Sequence, residues 1–397
     1  MHISLDSALG RQRRLNSVGE SVLQIAPNAA AAYSLRSLTG GDPKVVRVRR
    51  GSNNVESDFT ASGVSSGALL DFVTTPQIGW NSQPTFSNDS GTGSVTSQSS
   101  TATTATVSFT GDAALIRETS KPNHVLGSSG DQVIFNISVS GLDSAMTFRL
   151  RTSGTNTSVA SQSVSNGDNQ DITLNLTGSA GYLAITAVAS SGGTITFNSI
   201  KVLPKSGFVE TWYDQSGNGN DAVQATAGSQ PKIVNAGALL ADGLTFDGSD
   251  DSMATTSAIS STNIAIACVS KSTNNATAGI FSMLDGFNDG HEALYLAGKI
   301  RIASNSSDLD VSITTTNQNL YFANYDGSTQ SLSSNGGTPS TKSTSQTISV
   351  NAVGQIGSRA GSNKLNGSIE ELIVYTSDQS ANRAALETNI ISHYGIS

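Results

Sequence analysis

Hydrophobic and polar residues alternate along much of this chain, in short segments bounded by turn residues. Successive side chains of a strand point to opposite faces, so this alternation predicts half-buried β-strands rather than helices. In the segment Lys44–Arg50, Val46 and Val48 share one face, and Arg47 and Arg49 share the other. Further strands are predicted at Ala105–Phe109, Val133–Val139, Thr147–Arg151, Ile172–Leu176, Tyr182–Val188, Thr194–Val202, Phe208–Tyr213, Leu244–Phe246, Ile264–Ser270, Gly279–Met283, Ala293–Leu296, Lys299–Ala303, Leu320–Tyr325, Ala352–Ile356 and Ser368–Tyr375.

Helical patterns are confined to a few short segments. An alanine-rich run from Ala29 to Ser37 predicts a short helix that stops before Gly40. A second helix is predicted at the end of the chain, between an N-cap at Ser380 and Gly395, because apolar residues recur there at near-helical spacing. The sequence therefore predicts an all-β protein with a short C-terminal helix.

Two strand series are separated by a stretch in which charges thin out. Between residues 76 and 206 the strands follow one another at short intervals, as is typical of a sandwich or jelly roll. Pro204 cannot donate a ladder hydrogen bond and predicts the end of this series. We therefore predict an arm at 1–29, one domain made of 30–75 plus 207–397, and an inserted domain at 76–206. An insert with neighbouring ends disturbs only one surface loop of its host.

The charge of the chain excludes some classes of partner. A net charge of −8 gives no general attraction to nucleic acid or to an anionic membrane. The N-terminal segment is nevertheless basic, and Arg11, Arg13 and Arg14 interrupt any apolar core of signal-peptide length. These three arginines are candidates for attaching the arm to a larger assembly, with a solvated basic face as the alternative.

Cys268 is the only cysteine, which excludes an intrachain disulfide. It lies in the apolar run Ile264–Val269, where a small buried hydrophobic residue is the expected role. Secreted eukaryotic proteins of this size usually carry disulfides, so the lone cysteine favours a bacterial or viral source.

Three stretches resemble the catalytic domain of arabinofuranosidase B. Residues Ala31–Arg36, followed by Val46–Arg50 and Asn53–Asp58, resemble the opening of that domain. The segment Thr211–Asn220 is similar to its Tyr-Asp-Gln-Ser-Gly loop, and Gly290–Leu296 resembles one of its strands. The resemblance implies a concanavalin A-like β-sandwich that the inserted domain interrupts.

Two further resemblances point to bacteriophage proteins. The tail from Leu365 to Gly395 is similar to the end of laminin G-like domains that are common in phage structural proteins. The inserted domain resembles carbohydrate-binding-like jelly rolls of phage tail proteins, with Ile195–Val202 as its closing strand. Together they imply lectin-like domains carried by a virion.

The arabinofuranosidase resemblance also implies two catalytic carboxylates that this chain lacks. In that family a Glu nucleophile follows the strand resembling Gly290–Leu296, and an Asp acid precedes the final strands. The corresponding stretches here, Gly298–Asn305 and Ile356–Ser362, contain no carboxylate. A glycosidase needs two carboxylates facing one sugar, so we predict a non-catalytic protein.

Other polar groups have structural explanations. Asp285, Asp289 and Glu292 gather near His291, but a loop-to-strand junction accounts for His291 and Glu292 better than catalysis does. The few histidines are scattered and form no zinc motif. Calcium is an alternative use for turn carboxylates, with Asp214 and Asp221 as ligands; a second turn carries Asp247, Asp250 and Asp251. The preferred interpretation is that these side chains bond their own turns, with no cofactor.

Aromatic side chains are the candidates for stacking on sugars of a host surface, namely Trp80, Trp212, Tyr295 and Tyr325. The sequence predicts a phage capsid decoration, fibre or tail protein at the particle surface. It would contact other virion proteins through its arm and form a homo-oligomer, with a trimer as our expectation. The alternatives are a secreted arabinofuranosidase-like glycoside hydrolase, a carbohydrate-binding module, or a bacterial adhesin, for which no anchor sequence is evident.

Overall fold

The computed structural model of the chain describes residues 20–78, 85–88, 93–110, 115–118, 127, 129–152, 157–178, 182–187, 192–274, 276–285, 290–305, 307–344 and 348–397. The described chain is built from antiparallel strands with a few short helices, which confirms the predicted all-β fold class. The helices are Val22–Ile25, Ala61–Ser65, Ala68–Thr74 and Arg383–Tyr394, with a 3₁₀ turn at Ala227–Ser229. The strands are β1 Ala31–Ser34, β2 Lys44–Arg50, β3 Glu56–Thr60, β4 Gln77–Ile78, β5 Phe86–Asn88, β6 Ser94–Ser100, β7 Ala105–Thr110, β8 Leu115–Glu118, β9 Gln132–Ser140, β10 Met146–Arg151, β11 Ser158–Val164, β12 Gly167–Asn175, β13 Tyr182–Ala187, β14 Gly192–Leu203, β15 Gly207–Trp212, β16 Ala222–Val223, β17 Lys232–Asn235, β18 Ala238–Leu239, β19 Leu244–Asp247, β20 Met253–Ser261, β21 Ile264–Ser272, β22 Ala278–Leu284, β23 Gly290–Leu296, β24 Lys299–Ser304, β25 Ser307–Ser312, β26 Asn319–Tyr325, β27 Thr329–Ser334, β28 Ser340–Ser343, β29 Val350–Ile356 and β30 Asn366–Tyr375.

Strands β1–β3 and β15–β30 form one antiparallel system that is folded into two layers. The first layer runs through β28, β27, β26, β21 and β30, and continues from β30 through β19, β17, β15 and β2 to β3. The second layer runs through β16, β20, β29, β22, β23, β24 and β25. Pairing of β15 with β16 joins the two layers. This discontinuous sandwich is the host into which residues between β3 and β15 are inserted.

The core of the host lies between the two layers. Alternate residues of each strand point into it, such as Tyr321 and Ala323 of β26 and Ile300 and Ile302 of β24. The opposite face of the first layer is buried as well, because the helices Val22–Ile25 and Arg383–Tyr394 cover it. Because both faces of the first layer are buried, the sequence of β21 is a nearly continuous apolar run.

Cys268 lies in this core and is fully buried, as the sequence predicts. Burial raises the pKa of its thiol to about 12. Among the helices of the described residues, none has the length and apolar character needed to cross a membrane.

The inserted strands β5–β14 form a sandwich of their own. One sheet has the order β11, β10, β13, β8, β5, and the other has the order β12, β9, β14, β7, β6, with β4 paired to the end of β14. Strand β9 alternates cleanly, with Val133, Phe135, Ile137 and Val139 buried in a hydrophobic cluster separate from that of the host. Strand β14 ends at Leu203, directly before Pro204. The exact borders 76 and 206 stay a prediction.

Hydrogen bonds fix the point where the insert returns to the host. The Asp131 carboxylate of the insert is completely buried and accepts from the Lys205 backbone N–H at 2.6 Å. The Ser206 hydroxyl donates to the Ser129 carbonyl at 3.1 Å, and the Gly51 N–H of the host donates to the Ser206 carbonyl at 3.0 Å. The returning chain is therefore held on both sides.

Two local predictions are wrong. The alanine-rich run contains strand β1, because Ala31–Ser34 pair with β30 and all four residues are buried. The final helix begins at Arg383 after an N-cap at Asn382, and the hydroxyl of Ser380 instead donates to Asp378 at 3.1 Å.

Candidate functional site

The outer face of the second layer carries a row of polar side chains. In β22, Phe281 and Met283 point into the core, so Ser282 between them points outward. Ser282 lies directly opposite Gln355 of β29 on one side and Glu292 of β23 on the other. Strand alternation and register therefore bring these three residues side by side.

A two-residue turn borders this row. The backbone groups of Arg359 and Ser362 exchange hydrogen bonds of 2.8 and 2.7 Å, and Ala360 and Gly361 between them have φ angles of 47° and 79°. Positive φ at both central residues defines a type I′ turn. The Ser282 hydroxyl anchors the turn, since it accepts from the Ala360 N–H and donates to the Ser358 carbonyl, both at 3.2 Å.

A groove of about 330 Å³ lies between this turn and the row. The side chain of Val353 is 39% exposed there, one of the few large apolar residues so exposed in the described chain. The Gln355 amide makes no hydrogen bond to any described residue, which leaves a donor and an acceptor for a ligand. The lining residues are all uncharged: Ser282, Leu284, Val353, Gln355, Ala360 and Gly361.

Two charged residues beside the groove, Glu292 and Arg359, are paired with each other. Glu292 is only 4% exposed, and both of its carboxylate oxygens accept from the Arg359 guanidinium, one of them at 2.9 Å. These hydrogen bonds raise the pKa of Arg359. Further along the same face, Arg301 donates to Asp308 and to Asp310, and its hydrogen bonds lower the pKa of Asp310.

The groove and its charged neighbours differ in chemistry. A general acid for glycoside hydrolysis is a carboxyl group kept protonated by its surroundings. Both oxygens of Glu292 instead accept hydrogen bonds from the Arg359 guanidinium in a bidentate pair. The groove itself presents an apolar contact and a free amide.

Three of the four aromatic residues predicted to stack on sugars do not lie at the surface. Trp212, Tyr295 and Tyr325 are 0, 0 and 1% exposed and belong to the host core, so this prediction is wrong for all three. Alternation within their strands turns them toward the opposite layer. Trp80 and the three arginines Arg11, Arg13 and Arg14 lie outside the described residues.

His291 is a core residue too, next to Glu292 but on the other face of β23. Its Nδ1 lies 3.0 Å from the Ser304 hydroxyl, and its Nε2 is buried without a partner among the described residues. Burial lowers its pKa to about 4. A cavity of about 10 Å³ beside the ring has room for about one water. Asp289 lies outside the described residues.

The predicted calcium ligands do not fit a cation. Asp214 Oδ1 accepts from the backbone N–H groups of Ala32 and Ser216 at 2.9 and 2.8 Å, and Oδ2 accepts from Asn220 N–H at 3.0 Å. Asp221 Oδ1 accepts from the Asp214 N–H at 2.8 Å. A cation would have to displace these donors, so the pair fits the structural interpretation.

The carboxylates of the second acidic turn also accept hydrogen bonds from backbone N–H groups of their own turn. Carboxylate oxygens of Asp247, Asp250 and Asp251 come within 4.8 Å of one another. Asp247 accepts from the Ser249 N–H at 2.7 Å, and Asp251 accepts from the Asp247 N–H at 3.0 Å. Burial, with the neighbouring Asp247 charge, raises the pKa of Asp251 to about 7. These carboxylates order their own turn.

Sequence reasoning missed Val353, Gln355 and the Ala360–Gly361 turn. The alternation in β29 does put Val353 and Gln355 on one face. That this face points to solvent becomes clear only once β29 is paired with β22. The turn was missed because Ala-Gly is a weak turn signal compared with Asn-Gly.

No protein-family model matches the chain, and no curated protein sequence matches it. Among solved structures, a mutant GH54 α-L-arabinofuranosidase soaked with 4-nitrophenyl α-L-arabinofuranoside is 14% identical, with a TM-score of 0.36, over 68% of this chain and 63% of that chain. Domain 4 of the arabinanase AbnA from Geobacillus stearothermophilus, in complex with arabinotriose, is 18% identical, with a TM-score of 0.33, over 44% of this chain and 91% of that one.

The binding domain of botulinum neurotoxin serotype D, in complex with N-acetylneuraminic acid, is 13% identical with a TM-score of 0.36. That similarity covers 45% of this chain and 48% of the toxin domain, so the chain matches about half of it. Similarities with identities and TM-scores this low concern only the general fold, and we draw no conclusion about function from them.

Proposed function

We propose that this protein is a non-catalytic component of a bacteriophage virion that binds host-surface glycans through the groove beside Ser282. The observation that carries the binding part is the groove itself, uncharged throughout its lining and set on a face where Glu292, Asp308 and Asp310 are each ion-paired.

The chemistry of the groove fits a sugar. The stiff, half-exposed side chain of Val353 offers an apolar surface for the C–H groups of a ring. The Gln355 amide can donate to one hydroxyl and accept from its neighbour. Mostly apolar contact with a small number of oriented polar groups is the usual composition of a small-ligand site.

A glycan array that includes polysaccharides of candidate bacterial hosts tests the proposal. We expect binding by the intact protein and its loss in Gln355→Ala and Val353→Asp. Val55→Asp is the matched control, since Val55 is also an exposed valine, 47% accessible, in a loop away from the groove. Absence of binding to every glycan would leave only a structural role.

The virion part rests on the likeness of the tail 365–395 to laminin G-like domains of phage structural proteins, together with the basic arm. We expect the protein on the particle surface, attached to capsid or tail proteins through residues 1–29, as a homotrimer. Light scattering with and without residues 1–29 tests the arm. An unchanged number of subunits would show that the arm does not join the subunits, and a monomer in both forms would exclude the trimer.

Hydrolysis is the competing function. Release of nitrophenol from a chromogenic arabinofuranoside, abolished by Glu292→Gln, would overturn the non-catalytic proposal. We expect no release above that of the buffer, because the Glu292 carboxylate is engaged by Arg359.

A further inference from the structure

Glu292 and Arg359 lie beside the groove, where a charged side chain would change which ligands the groove binds. Glu292 lies one strand from Ser282 on the same face, and Arg359 directly precedes Ala360 in the groove wall. The Arg359 side chain remains 27% exposed, whereas the Glu292 side chain is 4% exposed. The guanidinium is thus the member of the pair nearer to solvent.

The contact between the two side chains is bidentate. Nε and Nη2 of Arg359 donate to the two oxygens of Glu292, which directs two of the three guanidinium nitrogens toward the carboxylate and away from a ligand. Planar donors of this kind are the usual recognition group for carboxylates and phosphates. Without Glu292, Nε and Nη2 of Arg359 would no longer be directed toward a carboxylate at the edge of the groove.

We propose that Glu292 is a specificity-determining residue, which masks Arg359 and thereby restricts the groove to uncharged saccharides. This inference rests on the proposed glycan binding. An acidic saccharide would have to compete with an internal carboxylate that is already desolvated and correctly oriented, and separating such a pair is costly. A neutral saccharide meets only the apolar and amide contacts of the groove.

The test compares two probes of equal length, a galactose oligomer and a galacturonate oligomer, by calorimetry or biolayer interferometry. The wild-type protein should bind the neutral oligomer, and its affinity should be the same at low and high salt, because no ion pair forms with the ligand. Glu292→Gln should increase affinity for the galacturonate oligomer about tenfold, as expected for a new charge-assisted hydrogen bond. Raised salt should remove this gain.

The double variant Glu292→Gln with Arg359→Gln is the control, because it removes both charges and keeps two amides that can bond one another. It should return to the wild-type preference for the neutral oligomer. If Glu292→Gln does not fold, tight and salt-sensitive binding of the galacturonate oligomer by the wild-type protein would still contradict the masking of Arg359.

The outcomes separate this inference from the proposed function. Binding of neither oligomer, nor of any array glycan, would contradict glycan binding itself. Tight, salt-sensitive binding of the acidic oligomer by the wild type would show that Arg359 is not masked. Unchanged binding of the acidic oligomer by a folded Glu292→Gln would show that Arg359 does not reach the ligand.

Discussion

At the scale of single residues, one buried and one half-buried histidine link the stability of the host to pH. His291 lies in the core between the layers, and His393 lies in the last turn of the C-terminal helix. Burial lowers the pKa of each to about 4, with the Arg36 charge adding to the effect at His393. Both side chains are therefore neutral in the folded protein at pH 7.

We expect the contribution of these two histidines to the free energy of unfolding to fall as pH decreases from about 6.5 to about 4, whereas Asp251, whose pKa is raised, contributes in the opposite direction. In this window the histidines of the unfolded chain bind protons that those of the folded chain do not, so their contribution is complete only above about 6.5. The loss for His291 is about 3 kcal/mol at most. Urea unfolding at a series of pH values measures it. His291→Gln should flatten the slope, and His393→Gln should do so independently. A slope unchanged in both variants would contradict the assignment.

At the scale of elements, three turns share an unusual sequence. Ala236–Gly237, Ala297–Gly298 and Ala360–Gly361 each have positive φ at both residues, with alanine φ angles of 51°, 46° and 47°. Alanine at positive φ is disfavoured because its Cβ approaches the following carbonyl oxygen. Asparagine tolerates this region better, so these turns retain strain that the flanking strands hold in place.

We expect Ala297→Asn to stabilise the protein by about 1 kcal/mol, since it relieves the strain at a turn distant from the groove wall. The denaturant midpoint of the host transition measures the gain. Ala352→Asn is the contrasting control, because Ala352 is an alanine of the core in a regular strand and its replacement should destabilise. A destabilising effect of Ala297→Asn would show that the turn is not strained.

The local pattern of hydrophobic and polar residues predicts regular strands well. It predicts poorly those elements whose conformation depends on partners far away in sequence. Strand β9 alternates visibly and spans Gln132–Ser140, close to the predicted Val133–Val139. The run around Ala31 has the composition of a helix, but its partner β30 is far away in sequence, and pairing there decides its conformation. For the same reason the site was predictable only in part. Glu292 could be singled out, whereas its pairing with Arg359 and the burial of Trp212 depend on how the layers fold together.

At the scale of the whole molecule, host and insert have separate hydrophobic cores. The host core draws on residues 31–73 and 209–374, and the core of the insert on residues 86–202. No described strand belongs to sheets of both sandwiches. Each unit therefore has what it needs to unfold on its own.

We expect two unfolding transitions in calorimetry. Phe148→Ala removes a fully buried ring of the insert and should lower only one transition, by about 3–5 kcal/mol. Leu372→Ala removes a fully buried side chain of the host and should lower only the other, by about 2–5 kcal/mol. A single transition that both variants shift together would show that the two sandwiches unfold as one unit.

The lone thiol in the host core has a practical consequence. Maleimides react with exposed thiolates, and Cys268 is both fully buried and, with its raised pKa, protonated at neutral pH. A cysteine engineered at any accessible position would consequently be the single labelling site of the native protein, without removal of an endogenous one. A fluorophore at the groove rim would then follow ligand binding in real time.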